Sequence, residues 1–176
     1  IMGDFPIGSF LFWKLKQEHK DKWPIYEFIR EFNDESPHNP AANLSGITND
    51  IKLVLDGQQR ITSLFVGLKG SYRHFYYRWR KTQLFLNLLK PPIQNEENPE
   101  ELTYGFSFRE HSTPDKDKEG QQLWYLVGRI LDHEDAEDAK ADVKAELSEL
   151  TDGQHDVANK LIGRLHSRIH TVLVGN

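Results

Sequence analysis

Between residues 51 and 68 the apolar pattern of the chain changes within a few positions. Residues 51–55 form a short apolar run typical of a buried strand, and Asp56-Gly57 interrupts it. Beyond the break, apolar side chains recur at the i, i+3, i+4 and i+7 spacing of one helix face: Ile61, Leu64, Phe65 and Leu68. The sequence therefore predicts a strand that leads directly into an amphipathic helix, with Gly70 placed to end that helix.

The rest of the chain predicts an α+β fold, in which a small mixed sheet with helices is followed by a helical C-terminal portion. Residues 123–131 are expected to run from a strand into the start of a helix. Two helices are expected from residue 132 onward, and residues 171–176 are expected to begin another strand. Apolar runs or alternation predict the remaining strands in residues 5–13, 23–32, 83–89 and 102–109.

Residues 33–50 are rich in Asn, Pro, Ser and Gly and are predicted to form a loop. Loops of this length in compact domains are more often functional or disordered than simple connections. We therefore expect this loop either to contribute to a binding site or to lack fixed structure.

Composition limits the kinds of partner and compartment. There are no cysteines, which excludes disulfides and thiolate metal sites and fits a reducing cytoplasm. No apolar run approaches the roughly 20 residues needed to span a bilayer, and no signal peptide is visible at the start. A cytoplasmic location without membrane attachment is expected.

The net charge of −5 means that contact with nucleic acid must depend on a local basic patch. Residues 72–81 form such a patch, with aromatic rings that could stack on bases and cations that could contact phosphate. The interpretation favoured from burial preferences alone is a strand or helix with its aromatics inward and its cations outward. If the patch faces DNA, the expected contacts are Arg73, Arg78, Arg80 and Lys81.

The chain contains eight histidines, which raises the question of a metal site. His166 and His170 have the i, i+4 spacing that can bind zinc on a helix, but no third ligand is evident. Ordinary surface histidines are the favoured interpretation.

The run Asp56-Gly57-Gln58-Gln59-Arg60 is the strongest candidate site. The start of a helix has unpaired N–H groups and a partial positive charge, so it suits an anion, and Gly57 would let a phosphate approach. Arg60 offers donors for phosphate oxygens, Gln58 and Gln59 could orient water or a base, and Asp56 could hold a divalent ion or accept a proton. A purely structural alternative is a capping box between Asp56 and Gln59, which explains neither the second Gln nor the Arg.

Residues 55–64, Leu-Asp-Gly-Gln-Gln-Arg-Ile-Thr-Ser-Leu, resemble the signature of the N-terminal domain of GmrSD-type restriction endonucleases, a family similar in fold to ParB and sulfiredoxin. Residues 5–13 resemble the family strand that precedes the signature, and residues 83–89, 104–108 and 124–131 resemble later segments. This resemblance favours the functional interpretation of the site over the capping box.

The resemblance implies nucleotide binding and hydrolysis coupled to restriction of DNA, often phage DNA that carries modifications. It implies GTP or ATP with Mg²⁺ held partly by Asp56, and a separate HNH-type nuclease domain in the same or a partner chain. Catalytic roles carry over to Asp56, Gln58, Gln59 and Arg60. Nucleotide-binding roles carry over to Gly57, Arg60 and Thr62, with Gly8 and Ser9 as possible pocket-lining residues.

Two motifs of the family lie outside this chain: an opening Phe-Gln-Arg segment and a later Arg-x-Asn-x-x-Gly segment. The expected domains are therefore a ParB-like nucleotide-handling domain in residues 1–131, truncated at its N-terminus, and a helical extension in residues 132–176, truncated at its C-terminus. Two alternatives to an NTPase remain open: a non-enzymatic module that binds a ligand or DNA, and a ParB-like nuclease.

Overall fold

A computed structural model of the protein describes residues 2, 7–29, 31–36, 38–98, 101–111, 121–148 and 150–174. The chain forms two compact units. The N-terminal unit is Ile7–Arg80, and the C-terminal unit consists mainly of Lys81–Asn176. The domain limit expected at residue 131 stays a prediction.

The N-terminal unit contains the candidate site. In chain order it consists of β1 (Leu11–Leu15), a 3₁₀ helix (Gln17–Lys22), β2 (Glu31–Asn33), β3 (Ile51–Asp56), α1 (Gln58–Leu68), β4 (Ser71–Tyr76) and the start of β5 (Arg78–Asn87). β1 pairs antiparallel with β3, and β2 pairs parallel with β4. The strand and helix predicted on either side of Gly57 are confirmed as β3 and α1.

The C-terminal unit continues β5 and then adds short strands and two helices. These are β6 (Ile93–Gln94), β7 (Leu102–Thr103), β8 (Phe106–Arg109), β9 (Trp124–Leu126), a 3₁₀ helix (Val127–Asp132), α2 (Ala136–Leu147) and α3 (Asp152–Val174). β8 and β9 both pair antiparallel with β5, and β6 pairs with β7. The α+β class and the helical C-terminal portion are confirmed.

Several strand predictions need correction. In the first segment the strand is Leu11–Leu15, with Leu11 and Phe12 more than half exposed, while residues 5 and 6 lie outside the described residues. In residues 23–32 only the end joins a strand, because the extended backbone around Tyr26 bridges to Ala41 in the loop instead of to a strand.

The predicted strand over residues 102–109 is two strands with different partners. It breaks around Gly105, so that β7 pairs with β6 and β8 pairs with β5. The strand expected from residue 171 is wrong: residues 171–174 extend α3, and the Thr171 hydroxyl donates to the carbonyl of Ser167 at 2.9 Å, one helical turn back. Residues 175 and 176 lie outside the described part of the chain.

Apolar burial differs between the units. Among the described residues of the N-terminal unit, the buried apolar side chains are Leu15 and Val66. β3 has no buried residue, contrary to the expectation of a buried strand. The C-terminal unit has a dense core that joins β5, β9, α2 and α3, with fully buried Leu86, Tyr125, Ile130, Val143, Ile162, Leu165 and Ile169. Stability therefore depends strongly on the helices of the C-terminal unit.

Truncating Ile162 in the middle of α3 is expected to lower the free energy of unfolding by about 2–5 kcal/mol, because Ile162→Ala leaves a cavity in a closely packed core. Ile162 is completely buried, whereas Leu173 in the last turn of the same helix is 52% exposed. Chemical denaturation of Ile162→Ala and Leu173→Ala measures the difference. Equal losses in the two variants would contradict the packing described here.

Candidate functional site

Arg60 lies in the first turn of α1, and its guanidinium contacts three residues from two other segments of the N-terminal unit. Nη2 donates to Asp56 Oδ2 at 3.2 Å, and Nη1 donates to the carbonyl of Ile7 at 3.3 Å. The central carbon Cζ lies 5.6 Å from the centre of the Phe10 ring. The end of β3, the start of α1 and the segment before β1 therefore meet at one arginine.

Two glycines with left-handed backbone conformation border this arginine. Gly8 and Gly57 both have φ of 84°. A Cβ on Gly8 would overlap Nη1 of Arg60, and a Cβ on Gly57 would lie 2.7 Å from Cδ1 of Phe10 and 3.1 Å from Nη2 of Arg60. The positive φ favours glycine at both positions, and a Cβ there would displace Arg60 or Phe10.

The capping box that was the structural alternative for this run is not formed. Asp56 is the last residue of β3, and the N-cap of α1 is Gly57, which has no side chain to accept a hydrogen bond. No side chain caps the helix start in the described residues. The first-turn N–H groups are therefore left for another acceptor, and together with the helix dipole they suit an anion.

All five residues of the Asp56–Arg60 run line one cavity of about 540 Å³, together with Leu55. A second cavity of about 890 Å³ shares Leu55 and Gln58 with the first and is also lined by Thr62 of α1. The motif therefore faces open space in the described structure. Whether these residues act on a nucleotide stays a prediction.

The glutamines and the remaining predicted residues occupy different positions. Gln58 turns back onto β3, where Nε2 donates to the carbonyl of Val54 at 2.9 Å. Gln59 is exposed in the first cavity, and its backbone carbonyl accepts a hydrogen bond from the Ser63 hydroxyl at 2.8 Å. Ser9 is exposed and does not line either cavity, although its neighbour Gly8 borders Arg60.

The long loop contributes to the second cavity. Six of its residues lie on the cavity wall: His38, Asn39, Ala42, Asn43, Leu44 and Ile47. Phe28, which also lines the wall, packs edge-on against Phe65 of α1 with ring centroids 5.2 Å apart. The described part of the loop therefore forms part of a cavity wall, and a role in binding stays a prediction.

Sequence reasoning did not single out Phe10 or the carbonyl of Ile7. Both belong to the segment that was expected to be a strand. A backbone carbonyl has no residue-specific signature, and one Phe in an apolar run resembles any core residue. Gly8, two residues before Phe10, was the available signal in the sequence, and only the family resemblance pointed to it.

Comparison with known families connects this geometry to a class of protein. The family model described as "GmrSD restriction endonuclease, N-terminal domain" matches residues 1–174. The chain belongs to this family. A search of curated proteins found no match. The suspected resemblance is confirmed, and membership in the GmrSD family implies a restriction-endonuclease role with DNA as substrate.

The described residues of this GmrSD-family domain include no helix long and apolar enough to cross a membrane. They also contain no group of three or more His, Asp or Glu side chains arranged to hold a metal ion. His166 and His170 stack with ring centroids 4.1 Å apart, and His166 is buried, which corrects the expectation of two surface histidines. Nε2 of His166 lies 3.4 Å from the carbonyl of His133.

The basic, aromatic patch of this GmrSD-family domain covers most of β4, the turn at Tyr77 and the start of β5, which pairs with β4 in a hairpin. The expectation that its aromatics point inward is wrong, because Phe75, Tyr76 and Tyr77 are all more than half exposed. Arg78 and Lys81 are exposed as well, and Arg73 and Arg80 lie over aromatic rings. At the base of β4, the Tyr72 hydroxyl donates to Asp34 Oδ2 at 2.9 Å, and this bond raises the pKa of Tyr72.

Proposed function

We propose that this domain binds and hydrolyses a nucleoside triphosphate and thereby acts as the sensor of a DNA restriction endonuclease. The observation that supports this most directly is the position of Arg60 in an uncapped helix start, with Gly8 and Gly57 bordering its guanidinium. An arginine with only a structural role could be positioned by its ion pair alone, without two left-handed glycines beside it.

The proposed binding mode is electrostatic. The phosphates lie in the cavity at the start of α1, where the backbone N–H groups of the first turn donate to their oxygens. Arg60 keeps its bonds to Asp56 and Ile7, and the further N–H donors of the guanidinium face the phosphates. Because Arg60 is already positioned, little reorganisation is needed when negative charge develops during phosphoryl transfer.

Asp56 is proposed to hold Mg²⁺ beside the phosphates. Its side chain is 69% exposed, and Mg²⁺ commonly uses one or two carboxylates together with phosphate oxygens and water. Bound Mg²⁺ would neutralise phosphate charge. The bond that Asp56 accepts from Arg60 fixes the direction of the carboxylate, so the same contact orients both charged groups.

The two glutamines have separate proposed roles. Gln59 is exposed at the cavity and is proposed to orient the attacking water through its amide. Nε2 of Gln58 already donates one N–H to the carbonyl of Val54, so Gln58 holds the strand-to-helix junction and offers its amide oxygen and its second N–H to a ligand. Gly57 has no Cβ and so lets a phosphate approach the backbone closely. Thr62 contacts the part of the ligand that extends into the second cavity.

The parent protein is proposed to cut DNA, modified or not, through an HNH-type nuclease domain in the same or a partner chain. In this scheme the nucleotide state of the Asp56–Arg60 site controls that domain, and the protein works in the cytoplasm. The family match supports the restriction role, and the arrangement around Arg60 supports the nucleotide.

Calorimetric titration of the intact protein with GTP and with ATP, each with Mg²⁺, is the direct test. We expect saturable binding of at least one of them, followed by phosphate release in a turnover assay. Binding without phosphate release would favour a regulatory module instead of an NTPase. An absence of binding to both nucleotides would contradict the proposal.

A further inference from the structure

The turn between β4 and β5 exposes a group of large aromatic rings. Phe75, Tyr76 and Tyr77 are 62%, 57% and 86% exposed. Single exposed apolar residues are normal on a protein, but adjacent exposed rings mark a binding surface. We call Arg73, Phe75, Tyr76, Tyr77, Trp79 and Arg80 the hairpin surface.

Each face of the hairpin combines an aromatic ring with an arginine. On one face, Phe75 packs edge-on against Trp79 with centroids 5.6 Å apart, and Cζ of Arg73 lies 5.1 Å from the Trp79 ring. Tyr76 points to the opposite face because side chains alternate along a strand, and Cζ of Arg80 lies 5.3 Å from its ring. Cation–π contact holds both positive charges beside the rings.

Tyr77 forms the tip of the hairpin in an unfavourable backbone conformation. Its φ is 58°, in the left-handed region that glycine and asparagine adopt more easily than a bulky residue does. Its ring lies 4.7 Å from that of Tyr76 and is almost fully exposed. A strained, exposed aromatic residue at a turn points to a functional use of its ring.

We propose that the hairpin surface binds unpaired bases of DNA by stacking, with Tyr76 and Tyr77 as the platform and Arg73 and Arg80 next to backbone phosphates. DNA is the substrate that the family implies. Aromatic rings stack on base faces that are not already covered by neighbours in a duplex, and such stacking tolerates any sequence. The net charge of −5 restricts attraction for DNA to local positive sites such as this one.

This surface shares no residue with the Asp56–Arg60 site, so the inference does not depend on the proposed nucleotide chemistry. It identifies the form of DNA that the domain contacts: single-stranded or locally opened DNA instead of an intact duplex. Stacking of bases on the rings also explains why the aromatic side chains point outward while Arg73 and Arg80 remain beside them.

Fluorescence anisotropy with a labelled single-stranded oligonucleotide tests the proposal in the intact protein, with EDTA present to prevent metal-dependent cleavage. Tyr77→Gly removes the ring and suits the left-handed φ, so a loss of binding cannot be attributed to a strained turn. We expect Tyr77→Gly to weaken binding about tenfold or more, the effect of losing one stacked base. Tyr77→Phe keeps the ring and is expected to bind like the wild type.

Three results would overturn the proposal. One is Tyr77→Gly binding single strands as tightly as the wild type. Another is wild-type binding to the matching duplex that equals its binding to the single strand. The third is that Tyr77→Gly changes the oligomeric state measured by light scattering but leaves oligonucleotide binding unchanged. That result would make the hairpin a protein-docking surface. Nucleotide binding by Tyr77→Gly should equal that of the wild type, so this test is separate from that of Arg60.

Discussion

Replacing Arg60 with alanine is expected to reduce nucleotide turnover by about two to three orders of magnitude, the usual cost of losing one preorganised group that stabilises transition-state charge. The guanidinium lies at the uncapped start of α1, bonded to Asp56 and Ile7. Steady-state phosphate release from the intact protein measures the effect. Nucleotide affinity is expected to fall as well, because the ground-state phosphates lose the same donor.

Arg60→Lys is the matched control. Lysine keeps the positive charge but has no planar fork, so it cannot contact Asp56, Ile7 and phosphate oxygens at once. Its turnover should lie between those of wild type and Arg60→Ala. The Arg60–Asp56 pair is substantially exposed, with side-chain exposures of 39% and 69%, so both variants should unfold close to the wild-type temperature. Wild-type turnover in folded Arg60→Ala would refute the catalytic role.

Substituting alanine for Gly8 is expected to weaken nucleotide binding about tenfold or more without unfolding the unit. The new Cβ would overlap Nη1 of Arg60, which is the far end of a flexible side chain. The guanidinium can therefore move aside at small structural cost, but it then leaves the position proposed for phosphate binding, and a lost charged hydrogen bond costs about a factor of ten or more. Calorimetric titration measures the change in affinity.

Gly46→Ala separates this steric effect from backbone strain. Gly46 has φ of 78°, close to the 84° of Gly8. A Cβ on Gly46 would have no heavy atom of the described residues within 4 Å, apart from those of its chain neighbours. Both variants should lose similar stability, about 1 kcal/mol, because alanine at positive φ is strained. Only Gly8→Ala should lose affinity. Equal affinities in the two variants would mean that the position of Arg60 does not matter for binding.

The elements that depend on the local pattern of apolar residues could be predicted from the sequence. The apolar run, the Asp-Gly break and the 3.6-residue spacing identified β3 and α1 to within one or two residues. The second helix expected beyond residue 132 is observed as α3, in which Leu161, Leu165 and Ile169 recur at helical spacing and are buried. These elements depend on residues close together in the chain, so their signals are contained in short windows.

Strand partners were not predictable, because pairing is decided by residues far apart. The alternation in residues 102–109 is continuous in the sequence, yet the backbone divides at Gly105 and bonds to two different strands. The apolar residues around Tyr26 resemble a strand, but the backbone there bridges to the loop at Ala41 instead of to a strand. In both cases local propensity was present, and the available partner decided the outcome.

The sequence by itself determined the α+β class, the strand-to-helix junction at Gly57 and the Asp56–Arg60 run at that junction. Only the tertiary structure decided that Gly57, not Asp56, is the N-cap of the helix, and that Gly8 and Phe10 meet Arg60 across about fifty residues of chain. It also decided that the aromatic residues of the hairpin point outward. Local conformation follows from near neighbours, whereas burial and contacts between distant segments depend on how the whole chain packs.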